Sequence, residues 1–185
     1  MTEIIESDPN SEQAKEAFHW WYRIGRAGLH PYDAILSTEL ALKVFEKSER
    51  LEEFTSRIYR HFPSDLAEKR LKQVIEVSPF EAVKASATYS LLKTLEKRID
   101  NQEDAPANIV AEIESLKTLL KTKYVDAAMI SGAKYSGLIE AEEFAKKLEI
   151  GQPVPNIVGN DIDGEKFELA DYKDKVVVIS FWGFW

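Results

Sequence analysis

Few side chains in this sequence stand where chemistry would need them. His19, His30 and His61 have no close pairing, so neither a two-histidine helical face nor an HExxH site exists, and no metal is expected. Glu52-Glu53 and Glu142-Glu143 are neighbours on helical stretches and point in different directions. That suits solvated surface better than a general acid–base pair. Asn160-Asp161-Ile162-Asp163-Gly164 resembles a calcium loop, but an EF-hand loop opens on Asp and carries Gly at its sixth position. Counting back from Gly164 puts Gly159 first, so a turn is the favoured reading. No GxxxxGKS/T, GxGxxG or GxSxG sequence is present, and no cofactor is expected. The chain has no cysteine, which removes thiol, disulfide and thiolate–metal chemistry from these residues.

One segment has the look of a site's approach. Lys175-Val-Val-Val-Ile-Ser-Phe-Trp-Gly-Phe-Trp185 reads as a strand that runs into an aromatic turn. A near-continuous Val/Ile run is what a strand covered on both faces requires.

Two zones must position that segment. Residues 1–149 read as an irregular helical-hairpin domain of about seven helices. Apolar stripes run through Ala14, Ala17, Trp21 and Ile24, then Leu36, Leu40 and Val44, then Leu51, Phe54, Ile58 and Phe62. Pro63 closes the third, because the residue before proline avoids helical backbone. Ala67, Leu71, Val74 and Ile75 form the fourth. Ser78-Pro79-Phe80-Glu81 offers a capping hydroxyl, an N1 proline and an N3 carboxylate for the fifth, whose face is Val83, Ala87, Leu91 and Leu95. Beyond a polar loop at 100–106 come Ile109, Ile113, Leu116 and Leu120, then Leu138, Ala141, Ala145 and Leu148. Trp20-Trp21-Tyr22 reads as core, with a partner-binding patch as the alternative.

Residues 150–185 change character. Pro153 and Pro155 break helix, Asp163-Gly164 signals a hairpin, and Lys166–Leu169 reads as its return strand. Ala170–Asp174 should make one helical turn before the Val-rich strand. The fold class expected is therefore mostly α, followed by the first β elements of an incomplete α/β fold.

The 185 residues are 44% apolar and 30% charged, enough for a real core, and carry a net charge of −8. Nucleic-acid binding normally needs a basic surface, so no nucleic-acid partner is expected. No apolar run reaches the roughly 18 residues of a membrane span. The acidic start, Met1-Thr-Glu-Ile-Ile-Glu, lacks the features of a signal peptide.

Five blocks between 151 and 185 carry a family resemblance: Gly151-Gln-Pro-Val-Pro155, Gly159–Gly164, Phe167-Glu-Leu169, Asp171–Val178 and Phe181–Trp185. In this order they resemble the opening of the TlpA/ResA-like redoxins, grouped with the AhpC/TSA thioredoxin-fold superfamily. Asp174 stands where that family usually has Gly. The helical zone is similar, more loosely, to the amino-terminal extension of planctomycete-type redoxins, through Lys123-Tyr-Val-Asp126, the helix near Leu138–Leu148 and Ile150-Gly151.

The resemblance implies thiol–disulfide exchange by a WCxxC motif whose first cysteine would directly follow Trp185. A thiolate there attacks a protein or small-molecule disulfide, and a second cysteine resolves the mixed disulfide. Phe181, Trp182, Gly183, Phe184 and Trp185 would flank that site, and none of them can perform the exchange. The chain is thus expected to be an inactive portion of an antioxidant, redoxin-type oxidoreductase. Family members commonly work outside the cytoplasm. Peroxide reduction is disfavoured, because the peroxiredoxin branch places Pro and Thr ahead of its cysteine. Competing readings are a helical interaction module without catalysis and an incomplete gene product. The helical zone is expected to fold alone, with the segment after 150 mobile, packed against it, or self-associated through its strand.

Overall fold

A computed structural model describes residues 7–8, 11–25, 31–100, 104–129, 131–180 and 182–183. Their architecture is mostly helical, and the β structure among them is one two-stranded antiparallel sheet plus an isolated bridge. The chain divides into two compact units, Met1–Ile139 and Glu140–Trp185.

In the first unit, α1 (Glu12–Gly25), α2 (Pro31–Val44) and α3 (Glu52–Thr55) meet around three phenylalanines. Phe45 stacks on Phe54 with ring centroids 5.2 Å apart, and Phe18 sets its edge against both, at 5.6 and 5.4 Å. All three are buried. Phe18 and Phe45 lie outside the stripes read from the sequence. Trp20, taken there as core, is 56% exposed, because the same helix spends its inward face on Ala14 and Phe18. The side chains of Trp21 and Tyr22 lie outside the described set.

The stripe Leu51, Phe54, Ile58 and Phe62 is buried as its spacing requires, yet it does not ride on one helix. A 3₁₀ turn (Glu49–Leu51) leads into α3, and α4 (Ile58–His61) follows after a break at Ser56–Arg57. The break has a tertiary cause. In a continuous helix the Tyr59 N–H would donate to the Thr55 carbonyl. Here it donates to Ser90 Oγ at 3.2 Å, on another helix.

That helix, α6 (Glu81–Ile99), is the centre of the unit. It packs most extensively on α5 (Ser64–Val77) and next on α7 (Ala107–Thr122). The sequence stripe Val83, Ala87, Leu91 and Leu95 is buried, but so is every residue from Ala85 to Leu92. Ala85, Ser86, Ala87, Thr88 and Ser90 are small, so neighbours can approach on several sides. Burial of their hydroxyls is tolerable only because each has a partner. Thr88 Oγ1 donates to the Lys84 carbonyl at 2.7 Å, Thr94 Oγ1 to that of Ser90 at 2.8 Å, and Ser86 Oγ pairs with Thr55 Oγ1 at 2.8 Å.

The start of α6 differs from the capping box read in the sequence. The helix opens at Glu81 with Phe80 as its N-cap. Ser78 instead closes α5, its N–H donating to the Val74 carbonyl, while its Oγ accepts from the Phe80 N–H. One serine serves the end of one helix and the turn to the next. Arg98 pairs with Asp65 and Glu68, and Lys72 with Glu68 and Glu112, which ties α5, α6 and α7 together. Such half-exposed pairs contribute roughly 0.2–1 kcal/mol each and set register more than they drive folding.

After α7 the chain makes a short β-like excursion with the bridge Ala128↔Lys134 and enters α8 (Tyr135–Lys146). The buried face of α8 is Tyr135, Ser136 and Ile139; of the Leu138, Ala141, Ala145 and Leu148 stripe read in the sequence, Leu138 packs against the core while Ala141 and Ala145 are exposed. Leu148 lies beyond the helix and is 57% exposed.

In the second unit, β1 (Val158–Asn160) pairs with β2 (Lys166–Glu168) in the register Val158↔Glu168, Gly159↔Phe167 and Asn160↔Lys166. Gly159 sits close beneath the Phe167 ring, where an added Cβ would come within 3.3 Å and the ring would have to shift by a few tenths of an ångström. Gly164 takes φ +85 at the turn, which a side chain would resist. The 3₁₀ turn Leu169–Tyr172 follows, beginning one residue before the Ala170–Asp174 turn read in the sequence and taking Leu169 from the return strand.

Candidate functional site

The hairpin is held by its own polar side chains. Asp161 Oδ1 accepts from the N–H groups of Asp163 and Glu165, both at 2.9 Å, which makes the 161–165 loop a structural turn. Asn156 reaches across from the lead-in segment: its Oδ1 accepts from the Ala170 N–H at 3.0 Å, and its Nδ2 donates to Glu168 at 3.1 Å. Glu168 and Asp171 form a reciprocal capping box around the 3₁₀ turn. Replacing Asp161 by Ala strips two N–H groups of their acceptor and should cost the hairpin about 1–2 kcal/mol. Faster amide exchange at Asp163 and Glu165, with α6 unchanged, is the measurement.

Asp174, at the position of the family's glycine, has φ 66 and is the non-glycine residue with positive φ among the described residues. Asp visits that region more readily than most residues, which is how this sequence does without the glycine.

The Val-rich segment differs from its reading as a strand covered on both faces. Residues 176–180 join neither β1 nor β2, and the sheet among the described residues ends with those two. Val176 and Val178 are 97% and 90% exposed, Val177 and Ile179 42% and 46%. The alternation is that of a strand with one side partly sheltered. A strand is completed by a neighbour's backbone, and neither outer edge of the β1–β2 pair is taken up by residues 176–180. Of the candidate site residues, Trp182 is 77% exposed and Gly183 is exposed too. Phe181, Phe184 and Trp185 lie outside the described residues.

The described residues of the first unit offer polar clusters and a cavity. The cavity, about 430 Å³, lies between α2 and α5, with Leu42, Val74 and Val77 beside Glu39 and Arg70. Arg70 Nε donates to Glu39 at 2.7 Å, so those charges answer each other. Lys123-Tyr124-Val125-Asp126 is structural: Tyr124 is buried, Lys123 pairs with Glu81 at 3.0 Å, and Asp126 pairs with Lys134 at 2.7 Å. No group of His, Asp and Glu that could hold a metal occurs among the described residues.

The sequence reading missed Glu52. Rather than lying with Glu53 on a solvated face, it is partly buried next to Tyr135, and burial pushes its carboxyl above the usual carboxylate value. Only the distant residue Tyr135 marks it, which adjacency in sequence could not reveal.

What the two units define is a mostly helical chain whose carboxyl-terminal segment carries a lead-in, hairpin and 3₁₀ turn in the order of a redoxin's opening elements. Comparison with known proteins points the same way. The chain is 40% identical over 73 residues to thiol-disulfide oxidoreductase ResA of Bacillus cereus (strain ATCC 10987 / NRS 248), which covers 37% of this chain and 40% of that protein. It is 47% identical over 51 residues to ResA of Bacillus thuringiensis subsp. konkukian (strain 97-27), 28% of each chain. Against ResA of Bacillus anthracis it is 37% identical over 73 residues, 37% of this chain and 40% of that protein. The chain thus spans two fifths or less of the curated relatives it matches, and the similarity supports a thioredoxin-like redoxin relationship. No family model and no solved structure matches it.

Proposed function

We propose that this chain is part of a thiol–disulfide oxidoreductase of the TlpA/ResA type and contributes the elements that lead into the reactive centre. The observation that carries the reading is the ordered set of blocks from Gly151 to Trp185, folded from Val158 to Tyr172 as hairpin and 3₁₀ turn. Similarity to ResA supports it. In the exchange, a thiolate attacks one sulfur of a protein or small-molecule disulfide and the other sulfur leaves as a thiolate. A second cysteine then displaces the first and takes the bond as an intramolecular disulfide. The chain has no cysteine, so both sulfurs must come from beyond these residues. Trp182 and its neighbours, from Phe181 to Trp185, would shape the surface beside the first sulfur.

The test is the reading frame beyond the Trp185 codon. A Cys codon, two residues and a second Cys codon are expected; a stop codon overturns the proposal. Action outside the cytoplasm belongs to the same proposal. Among the described residues no helix is long and apolar enough to cross a membrane.

Two partner proposals accompany it. The exposed Trp20 on α1 suits a protein partner for the helical unit. The uncovered Val176–Ile179 segment suits self-association by strand pairing. Sedimentation should show concentration-dependent oligomers that Val178→Lys dissolves, because a lysine on the strand is a known block to edge pairing. A monomer at every concentration would remove this proposal.

A further inference from the structure

The short helix α4 and the residue before it carry three basic side chains on one face. Arg57, Arg60 and His61 stand at i, i+3 and i+4, a spacing that makes helical neighbours of them. The Arg60 N–H donates to the Arg57 carbonyl at 3.0 Å, which holds the turn that sets this spacing. Ile58 and Phe62 are buried, so the other side of α4 is spent on the core. Arg60 and His61 are exposed and Arg57 is half-buried.

Arg70 pairs with Glu39, and Arg98 with Asp65 and Glu68, but neither Arg57 nor Arg60 pairs with a carboxylate among the described residues. Glu53 lies four residues before Arg57 and would meet it on a continuous helix. The break at Ser56–Arg57 removes that geometry. Asp65, the next acid along the chain, is taken by Arg98. Arg60 is held in place by Tyr59: its Nε donates to the Tyr59 hydroxyl at 2.9 Å, and its guanidinium carbon lies 5.4 Å from the ring centroid. Tyr59 is itself tied through its N–H to Ser90 of α6. The two Nη groups of Arg60 have no acceptor among the described residues, which leaves a planar fork of the kind that takes an oxyanion. Partial burial, and then the Arg60 and Arg57 charges, hold His61 below its ordinary value, as expected where three such groups stand together.

We infer that this face of α4 docks an acidic peptide segment of a partner protein, whose carboxylates pair with Arg57 and Arg60 and accept from His61. A peptide suits the face better than a free anion does. On an open surface a small ion keeps its water and salt screens it, whereas successive carboxylates on one chain engage the cations together. The Arg60 fork takes one carboxylate through two parallel bonds, and Arg57, one turn earlier, takes the next. Negative charge arriving beside the imidazole favours its protonated form and offsets the two arginines. The docking does not depend on the thiol–disulfide reading, since α4 belongs to the helical unit.

The test is fluorescence anisotropy of a labelled octaglutamate peptide titrated with the whole chain at low salt. Binding is expected, and it should weaken as salt rises. Arg57→Gln combined with Arg60→Gln should raise Kd about fivefold to tenfold, the loss of two exposed charge pairs. Lys146→Gln combined with Lys147→Gln removes the same charge from exposed lysines elsewhere and should leave Kd unchanged. In the unaltered chain, the His61 ring signal followed by NMR should titrate at higher pH once the peptide is added. Absence of binding, an equal loss in the lysine variant, or an unmoved His61 titration overturns the inference. Inorganic phosphate that displaces the peptide as well as free octaglutamate does, at equal ionic strength, overturns it too, by marking a site for any anion. Should the arginine variant fail to fold, the His61 titration in the unaltered chain decides.

Discussion

The 185-residue chain should leave insulin disulfides intact, with turnover no higher than the dithiothreitol blank. Thiol–disulfide exchange needs a sulfur that can carry a negative charge, attack, and later leave. The sulfur atoms here belong to Met1 and Met129, because the chain has two methionines and no cysteine. A thioether has no proton to lose and cannot accept and return a disulfide bond. Hydroxyls cannot substitute: Tyr135, a fully buried phenol, is pushed further from ionisation, to about 12. Hydroperoxide consumption should be equally absent. Measurable turnover in either assay would show that the sequence carries a catalytic device unlike the one its motifs resemble.

Phe45→Ala should destabilise the helical unit by about 3–5 kcal/mol, the range for deleting a buried aromatic ring. Phe45 is fully buried and touches both other rings, stacked on Phe54 and met edge-on by Phe18. Its removal forfeits two ring–ring contacts and leaves a cavity, walled by helices α1 to α3, that cannot easily collapse. A domain of this kind has roughly 5–15 kcal/mol to lose, so the variant should be close to unfolding at physiological temperature. Urea unfolding followed by far-ultraviolet circular dichroism gives the number, with the slope unchanged. A loss below about 1 kcal/mol would mean the ring is not the keystone its contacts make it.

The candidate site was legible as a motif and illegible as a place. The hairpin at Asp163-Gly164 and the turn at Leu169–Tyr172 could be read because turn chemistry is local: Gly164 supplies φ +85, and Asp161 supplies its own acceptors. The Val-rich strand could not be read in the same way. Hydrophobicity predicts that a segment wants burial, while pairing depends on a second backbone that the segment's own residues do not encode.

Local pattern by itself determined the helical class of the larger unit, the change of character near residue 150, and the absence of any thiol. Apolar spacing, proline and composition act over a few residues, so each is complete within the sequence. Tertiary structure decided where helices break and what a polar residue faces. Ser90 takes the Tyr59 N–H and splits a helix whose apolar spacing was unbroken, and Ser78 ends α5 rather than capping α6. Glu52 meets Tyr135 across more than eighty positions of chain. Ser90 and Tyr135 are delivered from distant segments and are fixed only once the helices have packed, whereas the bonds of Ser78 are local, to Val74 and Phe80.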